Sequence, residues 1–357
     1  MMKLFAKWTH WLHEGYASIG EESVSAFRVF YAFFMLSFGP TTYVKVASYA
    51  PELYNPKRSL AIWFDLPNLA FFQFLDWLIL ILLVLLLFGV LSKWTSLLLG
   101  LGLIVGNSFL YSFDKINHGN LLITFIPLIM AFSNWDAHFS LTKNQGVRRA
   151  VDFWPVSLMA FIIGFGMFTA GFIKLISGWL NPNYQAIKFH VFKSYLNLRE
   201  GVLTEWVVNI NSLVFWELLD YVIIIFELGF LIAAFSRRWF EGWVFMAILF
   251  HFGVLLVLDI SFFKNVVAYS LFLDWFFVLY VLPGKRILDF LSKGFNYVGL
   301  AVVLLVLGYL KVYHGGPYLL NFIAVGKLVS SGAVLTTAIL VMVGSYIYRI
   351  SKRASLG

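Results

Sequence analysis

Apolar residues along this chain form long uninterrupted runs, and short segments between them hold most of the charge. The run from Phe153 to Ile173 contains no charged side chain and is long enough to cross a bilayer as a helix. The pattern of runs and breaks predicts ten membrane spans. They lie at about residues 24–44, 68–91, 94–113, 118–134, 151–175, 212–235, 239–259, 265–282, 295–312 and 330–348.

Composition leads to the same class of protein. Hydrophobic residues make up 61% of the chain and charged residues only 12%, whereas a soluble domain carries about 25% charged residues. We therefore predict an all-α fold, a polytopic bundle of transmembrane helices that has the lipid bilayer as its partner. The chain has no cysteine, which excludes disulfides and thiolate chemistry. Its net charge of +8 is spread among loops, so nucleic acid is not an expected partner.

Basic residues indicate how the spans are oriented. With the N-terminus inside, the inner segments carry more Lys and Arg than the outer ones, and this bias favours cytoplasmic termini. The topology predicts a cytoplasmic segment at 1–23 and a membrane core at 24–282 with an outer loop at 176–211. Two further spans and a short basic tail follow at 283–357.

Lys174 stands where one uncharged run ends, in the stretch TAGFIKLISGW. Gly164, Gly166, Ala170 and Gly171 precede it, and small residues let a neighbouring helix approach closely. One interpretation is a lysine that anchors the helix end by reaching towards the interface. Another is a lysine at a packed site, where burial disfavours the ammonium form and makes the side chain a general base. The stretch alone leaves both open.

A polar stripe marks the outer half of the fourth predicted span. Asn117, Asn120 and Thr124 repeat at helical spacing, and His118 lies beside them. The predicted topology places Asn117, His118 and Lys174 at one outer level, which makes them candidates for a shared site. Helix capping and hydrogen bonds between helices explain the stripe equally well.

Three more polar residues fall inside predicted spans. His251 lies about two-thirds of the way across its span, where it is either a histidine bonded between helices or a site residue of the outer half. Glu227 is expected at central to inner depth, as a structural carboxylate that needs a partner or a proton. Arg28 is expected to extend to the inner interface or to pair across helices.

Motifs of common soluble enzymes are missing from the sequence. There is no Walker loop, GxGxxG, HExxH or GxSxG pattern, and no two histidines have the i, i+4 spacing of a helical metal site. A metal site is therefore not expected.

Several stretches occur in the order found in a known family. They are FRVFYAFFML, DKINHGNLL followed by NWDAHFSL, AGFIKLISGW, and ELGFLIAAFSRRW with FHFGVLLVLDISFF. Together they resemble the HTTM (horizontally transferred transmembrane) family and the membrane domain of vitamin K-dependent γ-glutamyl carboxylase. The resemblance covers about residues 24–280, and the joint order of the motifs is more specific than any one of them.

The resemblance implies roles for individual residues. Lys174 matches the base that deprotonates vitamin K hydroquinone, and His118 matches a histidine of the carboxylation step. Asn117, Asn120, His251 and Trp179 would then contact the quinone or the substrate. The implied cofactors are vitamin K hydroquinone or menaquinol, with O₂ and CO₂ and no metal.

Two departures from the carboxylase limit this expectation. Two apolar segments stand where the carboxylase has a large lumenal region that holds propeptides, and Ile173 replaces the lysine that neighbours the base. We expect an enzyme of a bacterial inner membrane that uses Lys174 to activate a membrane quinol with O₂ and modifies a peptide or other substrate. The alternative is a non-enzymatic maturation, immunity or binding protein for a secreted peptide. A transporter would show inverted repeats with broken helices, which the sequence lacks.

Overall fold

A computed structural model describes residues 2–38, 42–56, 59–113, 118–142, 150–198, 200–275, 277–281, 296–314 and 327–354. Within these ranges the chain is helical and contains no strand, which confirms the all-α prediction for them. The helices are α1 Met2–Glu14, α2 Glu21–Phe38, α3 Leu69–Leu87, α4 Ser92–Leu110, α5 His118–Met130, α6 Trp154–Ile176, α7 Ala186–Leu196, α8 Thr204–Val208, α9 Leu213–Ala233, α10 Arg237–Leu258, α11 Phe263–Tyr269, α12 Tyr297–His314 and α13 Lys327–Ala354.

Six helices in the described part are long and apolar enough to cross a membrane: α2, α3, α4, α6, α10 and most of α13. The chain is therefore a multi-pass membrane protein by the length and composition of its helices. Helix α9, with 21 residues, is long enough but carries three carboxylates, and it is not among the six. Helix α5 has only 13 residues, with Pro127 inside it.

The prediction of a continuous span at 265–282 is wrong. Helix α11 ends at Tyr269, a 3₁₀ turn covers Ser270–Phe272, and Leu273 has extended backbone angles. Asp274 then accepts a hydrogen bond from Ser345 at 3.1 Å. The apolar run is broken because its one carboxylate has partners on another helix, which hydropathy alone does not reveal.

The chain forms two compact units. The first consists of Met1–Ser18, Val156–Asp274 and Val325–Gly357, and the second of Ile19–Pro155 and Trp275–Ala324. In the first unit α13 packs along α10, and Arg349 binds Glu241 at 3.0 Å. The C-terminal helix therefore belongs to the same folded body as α10.

Arg28 organises the second unit. Its side chain is fully buried and donates to the backbone carbonyls of Leu86, Leu87, Trp135 and Phe139, with a distance of 2.9 Å to Leu87. The last carbonyls of a helix lack partners within the helix, so the guanidinium satisfies the end of α3. Of the two expectations for Arg28, extension to the interface is therefore wrong and pairing across helices is confirmed, because this arginine bonds α2 to α3 and to the turn after α5.

Candidate functional site

Helices α6 and α9 approach each other closely in the first unit. A Cβ added at Gly164 would lie 3.0 Å from the carbonyl oxygen of Phe230, and one at Gly171 would lie 2.8 Å from the Cβ of Glu227. These distances leave no room for a side chain at either glycine. The predicted close approach is confirmed at both positions, whereas nothing lies within 4 Å of a Cβ at Gly166.

Lys174 follows Gly171 by one turn of α6 and forms an ion pair with Glu227 of α9. The carboxylate side chain is 5% exposed and the lysine side chain 22%, so the pair is largely removed from water. Lys174 donates to Oε1 of Glu227, while Oε2 is buried without a hydrogen-bond partner. An ion pair this buried persists only when each charge has the other as its partner.

The sequence did not reveal this pairing. It placed Glu227 at central to inner depth and Lys174 at the outer level, so the two were not expected to meet. The usable signal was that a carboxylate inside a span needs a partner. A second indication was the small-residue face of α6, because it shows on which side of Lys174 a neighbouring helix can pack.

Trp179 covers the lysine as α6 ends. Gly178 adopts a left-handed conformation with φ of +85°, which glycine tolerates and which commonly ends a helix. The backbone N–H of Trp179 then donates to the carbonyl of Lys174 at 3.3 Å. As a result the lysine Nζ lies 5.2 Å from the centre of the Trp179 ring, within the range of a cation–π contact.

Asp220 fixes the next element of the site, helix α7. This fully buried aspartate of α9 accepts hydrogen bonds from the backbone N–H groups of Ala186 at 2.9 Å and Ile187 at 3.0 Å. The first N–H groups of a helix have no partner within it, and a carboxylate satisfies two of them here. Apolar packing of Val191 with Trp216 holds the other side of α7.

Helix α7 brings His190 to Trp179. The two ring centres are 5.4 Å apart, with their planes tilted by 35°. Burial lowers the pKa of His190 below the ordinary histidine value, and the charges of Lys193 and Lys174 lower it further. The imidazole therefore tends to be neutral, able both to stack and to hydrogen bond.

Trp179 and His190 line a cavity of about 670 Å³ formed by the segment that connects α6 to α9. Such a volume falls in the range of sites for small organic ligands. Aromatic rings and amide or hydroxyl groups line it together with one lysine, and the lining contains no carboxylate among the described residues. The lining residues are Ser177, Gly178, Trp179, Asn183, Tyr184, Gln185, Ala186, Lys188, Phe189, His190 and Phe192.

His251 lies elsewhere in the first unit, in an aromatic slot. Its Nε2 is 3.1 Å from the hydroxyl of Tyr269, and its ring stacks on those of Phe262 and Tyr269. The side chain is buried and Nδ1 has no hydrogen-bond partner. This environment matches the histidine bonded between helices, and a contact of His251 with quinone or substrate stays a prediction.

The remaining predicted residues belong to the second unit. Asn117 lies outside the described residues, and so does the side chain of His118, whose backbone begins α5. The carbonyl of Asn120 accepts from the hydroxyl of Thr124, which in turn accepts from Asn107 at 2.8 Å. Thr124 thus bonds between helices, and the grouping of Asn117, His118 and Asn120 with Lys174 stays a prediction.

Comparison of the chain with protein-family models, with curated proteins and with solved structures finds no match. The likeness to the HTTM family therefore remains an expectation drawn from the sequence motifs. In the part of the chain that the structure describes, no three His, Asp or Glu side chains converge to hold a metal ion.

The packing of α6 on α9 predicts a position-specific effect of alanine. Gly171→Ala should lower the free energy of unfolding by roughly 1–3 kcal/mol, because the new methyl group collides with Glu227 and the α9 backbone. Gly166→Ala is the matched control, since open space surrounds it and alanine favours helix by about 1 kcal/mol. Denaturant unfolding of the purified protein in detergent measures both. Equal effects of the two substitutions would contradict the packing.

The surroundings of His190 predict its protonation behaviour. Diethyl pyrocarbonate modifies only neutral imidazole, so peptide mapping after labelling should show His190 reacting at a lower pH than a free histidine peptide. Lys193→Gln should move the labelling midpoint upward, because it removes a charge that disfavours protonation. Lys188→Gln is the control, since that ammonium lies over Phe192 instead. A midpoint at or above that of the free peptide would refute the assignment.

Proposed function

We propose that this protein is a membrane enzyme that binds a lipid-soluble quinol beside Trp179 and uses the Lys174–Glu227 pair for the acid–base step of its oxidation. The observation that carries the proposal is the position of Trp179. Its ring lies over Lys174 Nζ and also lines the aromatic cavity. A ring bound in that cavity would share Trp179 with the ion pair.

The residues present fit such a ligand. Trp179, Tyr184, Phe189 and Phe192 offer flat apolar surfaces for a ring, and Lys188 supplies a positive charge for an oxygen anion. The unpartnered Oε2 of Glu227 supports this role, because a carboxylate oxygen without a hydrogen-bond partner is free to accept a proton. Burial of the pair strengthens its electrostatic effect on a ligand, because the local dielectric constant is low.

The redox chemistry would come from the ligand and from O₂. When bound, a quinol of the vitamin K or menaquinol type would supply a two-electron oxidation by O₂, with one oxygen atom ending in the epoxide and the other in water. The chain would supply the ring site and the acid–base pair. A peptide or other substrate, with CO₂ where carboxylation follows, would be modified at the same site.

The proposed topology supports access of a quinol. We place the chain in a bacterial inner membrane with its N-terminus in the cytoplasm, so that Lys174, at the end of the fifth predicted span, lies in the outer half together with the segment after α6. A quinol dissolved in the bilayer would reach that level laterally, and a secreted peptide would reach it from outside.

Turnover in proteoliposomes tests the function. Protein reconstituted with menaquinol under O₂ should form quinone epoxide, detected by chromatography with mass spectrometry. Lys174→Met should lower the rate roughly a hundredfold or more, the scale of a general acid–base contribution. Lys93→Met is the matched control, an exposed lysine of the second unit that contacts Phe132.

Two results would overturn this function. If the protein forms no more epoxide than protein-free liposomes, the proposed oxidation is wrong. If Lys174→Met forms epoxide at the wild-type rate, the proposed role of the lysine is wrong. Tight binding of a secreted peptide that tolerates Lys174→Met, with no quinol oxidation, would favour the alternative of a maturation or immunity protein.

A further inference from the structure

While Lys174 is an ammonium paired with Glu227, as in this structure, it cannot accept a further proton. An ammonium has three donors and no lone pair, so a paired Lys174 has nothing with which to accept a hydroxyl proton. The proton acceptors of the pair are the two oxygens of Glu227. One of them already binds Lys174, and the other is buried without a partner.

Glu227 is too buried to contact a ligand itself. Its side chain is 5% exposed, and Gly171 packs against its Cβ. Lys174 is more accessible, at 22%, and its Nζ lies 5.2 Å from the ring centre of Trp179, which lines the cavity. Of the two, the lysine is therefore the group that a ligand hydroxyl beside Trp179 would contact, while the acceptor oxygens belong to the more buried Glu227.

We infer that Glu227 is the proton store of the site and that Lys174 relays the proton to it from a phenolic hydroxyl group bound beside Trp179. This inference rests on the proposed function, since it describes the acid–base step of the same site. Lys174 passes one ammonium proton to the Glu227 carboxylate and takes the proton of the hydroxyl. The products are a phenolate, the Lys174 ammonium and a Glu227 carboxylic acid. One proton has moved, no electron has been transferred, and the total charge is unchanged.

Among the described residues on α7 and α9, the other titratable groups near the pair are less suited than Glu227 to accept a proton from Lys174. On α7, Lys193 is a basic residue, and His190 is only partly buried, with its ring centre 5.4 Å from that of Trp179. On α9, Asp220 lies two turns from Glu227 and is bonded to the N–H groups of Ala186 and Ile187. Glu227 is the carboxylate that touches the lysine.

Retention of the proton on Glu227 affects ligand binding even when no reaction follows. When the site retains the proton, binding of a phenol as its phenolate exchanges no proton with solvent, so the dissociation constant is independent of pH below the titration range of the phenol. Without the store the same binding releases one proton. The affinity then rises tenfold with each pH unit.

Equilibrium binding of para-nitrophenol tests this inference, because its phenolate absorbs visible light and its neutral form does not. The wild-type protein in nanodiscs should bind it as phenolate with a pH-independent dissociation constant. A new carboxylic-acid carbonyl band should appear in the infrared difference spectrum. Glu227→Gln should lose that band and either bind the neutral phenol or show the tenfold rise per pH unit. Lys174→Met should bind no phenolate.

Several outcomes would overturn the inference. They are wild-type binding of the neutral phenol, no binding at all, phenolate binding with proton release, or an infrared band that survives in Glu227→Gln. The wild-type measurements stand alone if Glu227→Gln does not fold. The assay contains no quinol and no O₂, so a protein that stores the proton but makes no epoxide would refute only the proposed oxidation. Epoxide formation without proton storage would refute only the inference.

Discussion

The close approach of α6 to α9 is the constraint on which the site depends. Two glycines of α6, Gly164 and Gly171, remove the side chains that would keep the helices apart. Lys174, one turn further on, then has the carboxylate of Glu227 as its nearest partner. A longer separation would leave a buried carboxylate without a cation, and such a charge is costly in an apolar environment.

The elements around the pair follow from local rules of helix termination. Gly178 ends α6 in a left-handed turn that returns Trp179 to Lys174, and Asp220 satisfies the first N–H groups of α7. The Gly178 turn fixes the cavity wall that contains Trp179, and the Asp220 cap fixes the wall that contains His190. The wall that carries His190 is thus positioned by α9, the helix that also supplies Glu227.

Hydropathy and residue size predicted much of this arrangement from sequence. The boundaries of α6 lie within three residues of the predicted 151–175, and the small-residue face marked the contact with α9. The partner of Lys174 was not predictable in the same way. Hydropathy locates a span along the chain but not its depth and rotation against a neighbour, and these decide which side chains meet. The break of the span predicted at 265–282 has a similar cause, since it depends on partners of Asp274 that are remote in sequence.

The most direct measurement is a double-mutant cycle on the ion pair, read as the free energy of unfolding in detergent. Lys174→Met leaves the buried Glu227 unpaired and should cost roughly 3–5 kcal/mol. Glu227→Met should cost less, because the lysine is the more exposed partner. The double variant, in which both positions are apolar, should recover most of the stability lost in Lys174→Met. If the losses of the two single variants simply add in the double variant, Lys174 and Glu227 do not form the pair around which the site is built.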